Sequence, residues 1–155
     1  MRNKPHDGMI VEVCQMADDD MQALLDKLEH ELYQLYPAMP KPSILQPALT
    51  LIARDNSQPV GCVVLMVLDE DIAEIKRLFV VSAARGCGVA KKLMAVLEQW
   101  ARQQGIKRIL VETGNLQSPA MSLYQGLGYQ AIAPFGPYIG NPVSCCFEKR
   151  LLPQQ

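Results

Sequence analysis

The sequence has no excess of charge of either sign and no long apolar run. Fifteen basic and 16 acidic residues leave a formal net charge of −1 over 155 residues, so we expect neither nucleic acid nor a membrane surface as a partner. The longest apolar run, Val60 to Leu68, is far too short to span a bilayer. Residues 1–4 are not followed by a hydrophobic segment, so no secretory signal is predicted. These absences together predict a cytoplasmic protein.

Metal-binding patterns of cysteine and histidine are missing as well. The chain has five cysteines, but no Cys-x-x-Cys pair occurs and no histidine stands at metal-ligand spacing, so no metal site is predicted. Cys87 allows two interpretations. At a predicted helix start its thiol would be unusually reactive; alternatively, Cys87 is a turn residue that contributes only its backbone amide.

The length predicts one domain, in residues 9–152, after a flexible tail in residues 1–8. Alternating apolar residues, helical stripes and turn residues predict the element order β-α-β-β-β-α-β-α-β-β. The strand in residues 107–112 follows the strand in residues 72–81 across a helix, and such a crossover predicts parallel pairing. The expected fold class is therefore α/β, with a mixed, mostly antiparallel sheet flanked by helices.

Residues 74–92 contain a helix start that lacks a cap. A strand is followed by a turn with Gly86 and Gly88, and a helix begins at about Gly88. No Ser, Thr, Asp or Asn stands immediately before this helix, and no acidic residue occupies its first turn. Lys91 and Lys92 lie there instead, at the positive end of the helix dipole. Free amides and positive charge together predict a bound anion, most simply the phosphate of a cofactor.

Two other phosphate-binding motifs fit this turn less well. A dinucleotide-binding motif would use Gly86 and Gly88, with Glu112 as the ribose-binding acid. Lys91 occupies its third glycine position, however, and the unit follows three antiparallel strands instead of beginning a sheet. A Walker motif fails because no Gly-Lys-Ser/Thr follows.

The turn resembles a signature of the GNAT superfamily of N-acetyltransferases. Arg85-Gly86-Cys87-Gly88-Val89-Ala90 is similar to the family's Arg/Gln-x-x-Gly-x-Gly/Ala motif. Leu123-Tyr124 with Gly128-Tyr129 resembles its later Leu-Tyr-x-x-x-Gly-Phe/Tyr motif, and the order of elements agrees. Other segments resemble a subgroup of small, mostly uncharacterised bacterial acetyltransferases, namely residues 74–77, 112–114, 134–136 and 147–149. The resemblance covers nearly the whole chain and implies a GNAT-like (acyl-CoA N-acyltransferase) fold.

The resemblance implies acetyl-CoA as a co-substrate that is bound at this turn. The amides of residues 87–90 would hold its pyrophosphate. Further along, the strands of Leu78 to Val80 and Ile109 to Val111 would splay apart to admit the thioester. The backbone of Leu78 or Phe79 would polarise the acetyl carbonyl. The cofactor-binding residues that it implies are Leu78, Phe79, Val80, Arg85, Gly86, Cys87, Gly88, Val89, Ala90, Lys91 and Gln117, the last standing where the family commonly has an asparagine.

Acetyl transfer to an amine needs a base for the ammonium and an acid for the departing thiolate. The resemblance implies Glu74 as the base, acting through water, and Tyr124 as the acid. Each residue also has a structural interpretation. Glu74 would pair with Lys76 or Arg77 at a strand end, and Tyr124 would be a buried packing residue.

The acceptor class follows from two loops beside the predicted site. Residues 36–43 and 135–141 are rich in proline and aromatic residues, which favours a small-molecule amine that is not strongly charged. A peptide amine remains open, as does a homodimer, which is common in the family. A non-catalytic acyl-CoA-binding or regulatory module is the alternative function, and the presence of both Glu74 and Tyr124 favours the enzyme.

Overall fold

The structure, a computed structural model, describes residues 8–38 and 47–152. In chain order the elements are β1 (Met9–Val13), α1 (Asp19–Leu35), β2 (Leu49–Asp55), β3 (Gln58–Asp69), β4 (Ile72–Val80), α2 (Val89–Gln103), β5 (Arg108–Gly114), α3 (Ser118–Gly126), β6 (Gln130–Ile132) and β7 (Ser144–Arg150). This order confirms the one predicted from the sequence. Most of the predicted tail (residues 1–7) and most of the loop in residues 36–43 (residues 39–43) lie outside the described residues.

The seven strands form one sheet in the order β1-β2-β3-β4-β5-β7-β6. Only β4 and β5 run parallel among the pairs that the structure describes; the others are antiparallel. The crossover through α2 accounts for the parallel pair, because a helix must carry the chain back before β5 begins. The predicted parallel pairing is therefore confirmed.

Helices cover both faces of the sheet. On one face α2 buries Leu93, Leu97 and Ala101 against strand residues such as Val63 and Ile109. On the opposite face α1 buries an apolar stripe against β2, β3 and β4, consisting of Met21, Leu24 and Leu25. Asp18 starts α1 by accepting hydrogen bonds from the amides of Asp20 and Met21, at 2.9 and 3.1 Å, as an N-cap residue does.

The parallel pairing between β4 and β5 ends well before the strands do. Its last pair is Ile75 with Val111, whereas β4 continues to Val80 along β3 and β5 continues to Gly114 along β7. The strands therefore diverge between residues 76–80 and 112–114. The prediction that Ile109 to Val111 would be the splayed part of β5 is wrong, since these residues are still paired with residues 73–75.

A β-bulge at Lys76 accompanies this divergence. Leu65 pairs with Ile75 and Val64 pairs with Arg77, so that β4 has one extra residue between them. A bulge interrupts the alternation of side chains along a strand. As a result, Glu74 and Arg77 both lie on the face that α1 covers, where Phe79 packs as well.

Candidate active site

The start of α2 has the geometry of an anion-binding turn. Gly86 and Gly88 have φ angles of 83° and 85°, a left-handed conformation that glycine adopts without steric cost. Gly88 is the N-cap residue, no side chain caps the helix there, and its first turn has no acidic residue. The first amides of any helix lack intrahelical acceptors. The predicted uncapped helix start is therefore present, with its amides available to an anion.

The two lysines of this first turn differ in their surroundings. Lys91 is exposed and stands beside the helix start as predicted. The Lys92 ammonium donates a hydrogen bond to the carbonyl oxygen of Met9 at 2.7 Å, which ties α2 to β1. Lys92 therefore has a structural contact, whereas Lys91 is an exposed positive charge beside the helix start.

Cys87 and Val89 are both buried beside this turn, and the Cys87 side chain is only 2% exposed. A buried thiol is inaccessible to reagents in solution. Of the two interpretations of Cys87, the structure favours the one in which it contributes its backbone amide.

The guanidinium of Arg85 makes contacts inside the protein. It donates to both carboxylate oxygens of Glu31 at 2.9 Å and, through Nε, to the carbonyl of Val80 at 2.9 Å. Its central carbon lies 5.7 Å from the ring centroid of Phe79. Arg85 therefore links the turn to α1.

A cavity of about 530 Å³ occupies the opening between β4 and β5. Its walls come from α1, from both diverging strands, from α3 and from the β6–β7 connection. Three of the predicted site residues, Leu78, Gln117 and Tyr124, lie on these walls. Gln117 is the N-cap residue of α3.

Glu74 lies next to the cavity without lining it. Its side chain is buried, with the residue 4% exposed, and one carboxylate oxygen, Oε2, accepts a hydrogen bond from the Tyr138 hydroxyl at 2.6 Å. The Lys76 ammonium lies 3.5 Å from the same oxygen and donates to the Tyr138 hydroxyl at 3.0 Å. The ion pair with Lys76 that the structural interpretation anticipated is therefore present, together with a tyrosine that the sequence did not single out.

Glu112, unlike Glu74, lies on the cavity wall itself. Its Oε2 accepts a hydrogen bond from the Ser144 hydroxyl at 2.7 Å. Burial raises the pKa of Glu112, Ser144 lowers it, and the nearby Glu74 raises it further. From the sequence, Glu112 is expected at most as the ribose ligand of a dinucleotide-binding motif. A sequence signal for its place on the cavity wall is its position as the first acid after the apolar residues Ile109, Leu110 and Val111.

Tyr124 reaches the cavity from α3 with its ring in the core. The residue is 5% exposed, and its ring centroid lies 5.7 Å from that of Tyr129 and 6.3 Å from that of Phe147. Burial raises the pKa of its hydroxyl well above the usual value for tyrosine. The phenol therefore stays protonated at neutral pH, as a proton donor must.

Arg77 brings a second positive charge to the cavity wall beside Lys76. It is 8% exposed, its Nη1 donates to the Lys76 carbonyl at 3.2 Å, and burial lowers its pKa. The wall thus combines two cations with the carboxylates of Glu29 and Glu112, among apolar and tyrosine side chains.

Comparison with known proteins decides the family. The model of the acetyltransferase (GNAT) family matches residues 11–129. The chain belongs to this GNAT family. An IAA acetyltransferase of Azospirillum brasilense is 34% identical over 140 residues, which cover 86% of this chain and 92% of that protein. Together these findings identify the GNAT chain as an acyltransferase.

Solved GNAT structures share its fold. A protein of Klebsiella pneumoniae assigned as an acyl-CoA N-acyltransferase matches with a TM-score of 0.82 at 30% identity, over 93% of this chain and 98% of that one. A GNAT family acetyltransferase of Elizabethkingia anophelis, crystallised with acetyl-CoA bound, matches with a TM-score of 0.71 at 19% identity, over 94% and 99% of the two chains. The predicted fold class is confirmed.

Two further structural observations concern metals and membranes. Within residues 8–38 and 47–152, no three His, Cys, Asp or Glu side chains are grouped closely enough to hold a metal ion. In the same part of the chain, no helix has the length and apolar character that crossing a membrane requires.

Proposed function

We propose that this GNAT protein transfers the acetyl group of acetyl-CoA to the primary amine of a small molecule or peptide, by direct attack of the amine. The observation that carries this proposal is the cavity where β4 and β5 stop pairing. Along the chain, β4 leads from this cavity to the uncapped start of α2. One feature suits a thioester and its acceptor, and the other suits a pyrophosphate.

The residues present fit acetyl-CoA as a substrate. Nothing lies within 4 Å of where a Cβ at Gly86 would be, so phosphate oxygens can approach the backbone of this turn closely. The amides of residues 87–90 would bind the pyrophosphate, with Lys91 as the nearby cation. In the described part of the chain, β4 pairs with β5 no further than Ile75, and an extended pantetheine arm with its amides would pair with the following residues of β4 as an added strand does.

Within this proposal Glu74 is the base and Tyr124 is the acid. An amine attacks only after its ammonium has lost a proton, and a carboxylate connected to the cavity accepts that proton. Tyr124 lies on the opposite wall, on α3, and its buried hydroxyl stays protonated and available to the departing thiolate. Glu112 is a second candidate base, because it lines the cavity directly.

The cavity walls support a small acceptor with an apolar or aromatic body. Apolar side chains of α1 and β4 line the cavity, among them Leu28, Leu32 and Leu78. Four tyrosines line it as well: Tyr33, Tyr36, Tyr124 and Tyr138. Tyrosine rings attract ammonium groups through their π faces, while Glu29 and Glu112 supply the opposite charge. Because Lys76 and Arg77 lie on the same wall, the charges balance, and we infer a small amine that is not strongly charged.

The test combines calorimetry with a panel of amines. We expect acetyl-CoA to bind with micromolar affinity and NAD not to bind. Gly88→Glu should abolish acetyl-CoA binding, because a carboxylate would occupy the anion-binding turn. Gly105→Glu is the matched control, since Gly105 has a similar φ of 81° but lies after the other end of α2. It should keep acetyl-CoA binding.

The amine panel, followed by release of the CoA thiol, then distinguishes an enzyme from a binding module. Release of CoA that depends on one of the amines supports acetyl transfer. Tight binding of acetyl-CoA without turnover of any amine would favour the non-catalytic module. NAD binding without acetyl-CoA binding would overturn the proposal, and so would the absence of binding by either ligand.

A further inference from the structure

Tyr138 separates the predicted base from the cavity. Its hydroxyl donates to Oε2 of Glu74 at 2.6 Å, and its ring lines the cavity, which Glu74 does not. The side chain of Glu74 is only 5% exposed. A proton that leaves an amine in the cavity therefore meets the Tyr138 oxygen before it meets the Glu74 carboxylate.

The β6–β7 connection holds Tyr138 in this position. The residue ends a short 3-10 turn, Gly136–Tyr138, and its amide donates to the Phe135 carbonyl at 3.0 Å. The Phe135 ring packs against it edge to face, with centroids 5.2 Å apart and an interplanar angle of 81°. A phenol fixed in this way keeps the same distance to Glu74 when the cavity fills, which a relay requires.

The Lys76 ammonium completes the arrangement by donating to the Tyr138 hydroxyl oxygen at 3.0 Å. Any negative charge that develops on this oxygen during a proton transfer is thereby stabilised. A phenol oxygen has two lone pairs, so it still accepts a further hydrogen bond from a donor in the cavity.

We propose that Tyr138 is a catalytic residue that relays the proton of the acceptor ammonium to Glu74. This inference rests on the proposed acetyl transfer. One N–H bond of the ammonium breaks as an O–H bond to Tyr138 forms, and the original phenol proton moves to Oε2 of Glu74. Tyr138 is neutral before and after the step, Glu74 becomes a carboxylic acid, and the amine keeps the electron pair with which it attacks.

Several other charged or titratable groups face Tyr138 and shape its pH response. They come from α1, β4, β5 and β7 and are Glu29, Glu74, Lys76, Arg77, Glu112 and Cys146. Burial raises the pKa of the Tyr138 hydroxyl, and the hydrogen bond to Glu74 raises it further. The phenol therefore remains a donor to Glu74 over the working pH range, so the relay does not depend on a tyrosinate.

The test is the pH profile of kcat/KM for Tyr138→Phe, which removes the hydroxyl and keeps the ring. Near pH 7 we expect a loss of about 1,000-fold, within the roughly 10²- to 10⁴-fold that general acid–base catalysis contributes. The variant must then use amine that is already neutral in solution. Its kcat/KM should therefore rise about tenfold per pH unit toward the acceptor's own pKa, which is about 10 for an alkylamine, and approach the wild-type value there.

Tyr129→Phe is the matched control, because the fold contains a second phenol–carboxylate pair away from the cavity. The Tyr129 hydroxyl donates to Oε2 of buried Glu98 at 3.0 Å, and Lys149 donates to Oε1 of Glu98 at 2.8 Å. We expect Tyr129→Phe to reduce stability and to keep the wild-type pH profile. Glu74→Gln should show the same rise of kcat/KM with pH as Tyr138→Phe. The kcat/KM of the double variant should be no lower than that of either single variant.

The outcomes separate the relay from the proposed function. If the wild-type protein acetylates an amine and Tyr138→Phe keeps its rate and profile, the relay is wrong and acetyl transfer stands. A raised KM with unchanged kcat and profile also refutes the relay, since Tyr138 would then only shape the cavity. If kcat/KM rises with pH in Glu112→Gln but not in Glu74→Gln or Tyr138→Phe, Glu112 is the base and the relay is wrong. Absence of turnover in the wild-type protein refutes the proposed function itself.

Discussion

The phenol of Tyr36 lies directly against the α-carbon of Gly114, where a Cβ would overlap the tyrosine hydroxyl. The same hydroxyl accepts a hydrogen bond from the amide of Leu116 at 2.8 Å. Tyr36 is the C-cap residue of α1 and Gly114 is the last residue of β5. This contact therefore joins two walls of the cavity across its opening.

Gly114→Ala should displace Tyr36 and open this wall. Insertion of a methyl group into a packed site costs about 1–3 kcal/mol, which urea unfolding measures, and the KM for the acceptor should change with it. Gly126→Ala is the control, because no described atom lies within 4 Å of its Cβ position. It should leave the KM unchanged and, as a helical residue, raise stability by no more than about 1 kcal/mol. Equal effects of the two substitutions would show that the contact with Tyr36 is irrelevant.

Tyr124→Phe should reduce kcat by about 100-fold, the scale of a lost general acid, while the ring keeps its contacts with Tyr129 and Phe147. Because burial raises the pKa of this hydroxyl, it stays protonated beyond pH 10. Ionisation of Tyr124 should therefore not reduce the activity of the wild-type protein between pH 6 and 10. The rate of CoA release measures this activity. If the wild-type activity falls toward pH 10 and the activity of Tyr124→Phe does not, Tyr124 ionises in this range and its assignment as a protonated acid is wrong.

Glu112→Gln should stabilise the protein increasingly as the pH rises. The folded pKa of Glu112 lies above its unfolded value of about 4.3, so the stability that the protonated form contributes is present below that value. It is lost as the pH rises through the folded pKa. The urea midpoint of the glutamine variant relative to the wild-type protein should therefore increase from pH 4.5 to 8. A constant difference would show that burial does not perturb this carboxyl group.

Substitutions at Arg85 and Glu31 should affect acetyl-CoA binding in opposite directions. Arg85→Gln removes a cation beside the anion-binding turn, and we expect its Kd in calorimetry to rise a few-fold. Glu31→Gln removes the carboxylate that holds Arg85, so the Kd should fall. Stability should change by less than about 1 kcal/mol in both, because the ion pair is exposed. If neither variant alters the Kd, Arg85 only ties the turn to α1.

The start of α2 and the pairing of β4 with β5 were predictable because both follow from local rules. Two glycines, a missing cap and lysines in the first turn define an anion site within a few residues of one another. A helix between two strands makes them parallel. Neither prediction depends on how distant parts of the chain pack together.

The contact between Tyr138 and Glu74 was beyond such rules, since 64 residues separate the two positions. The bulge at Lys76 was equally hidden, because the residues that form it have no distinctive composition. For the same reason the sequence placed the divergence of β5 at residues 109–111, although the last pair is Ile75 with Val111. Tertiary packing decides where two strands part.

The early end of the pairing between β4 and β5 links the stability of the protein to its ligands. In the described residues β4 pairs with β5 no further than Ile75, and a ligand that binds β4 beyond this point would do so in the folded state only. A ligand at 100 times its Kd then stabilises the fold by about 2.7 kcal/mol. The shift in melting temperature therefore measures how much of the protein has ligand bound. Compounds that bind β4 beyond Ile75 can be recognised in this way before any turnover is measured.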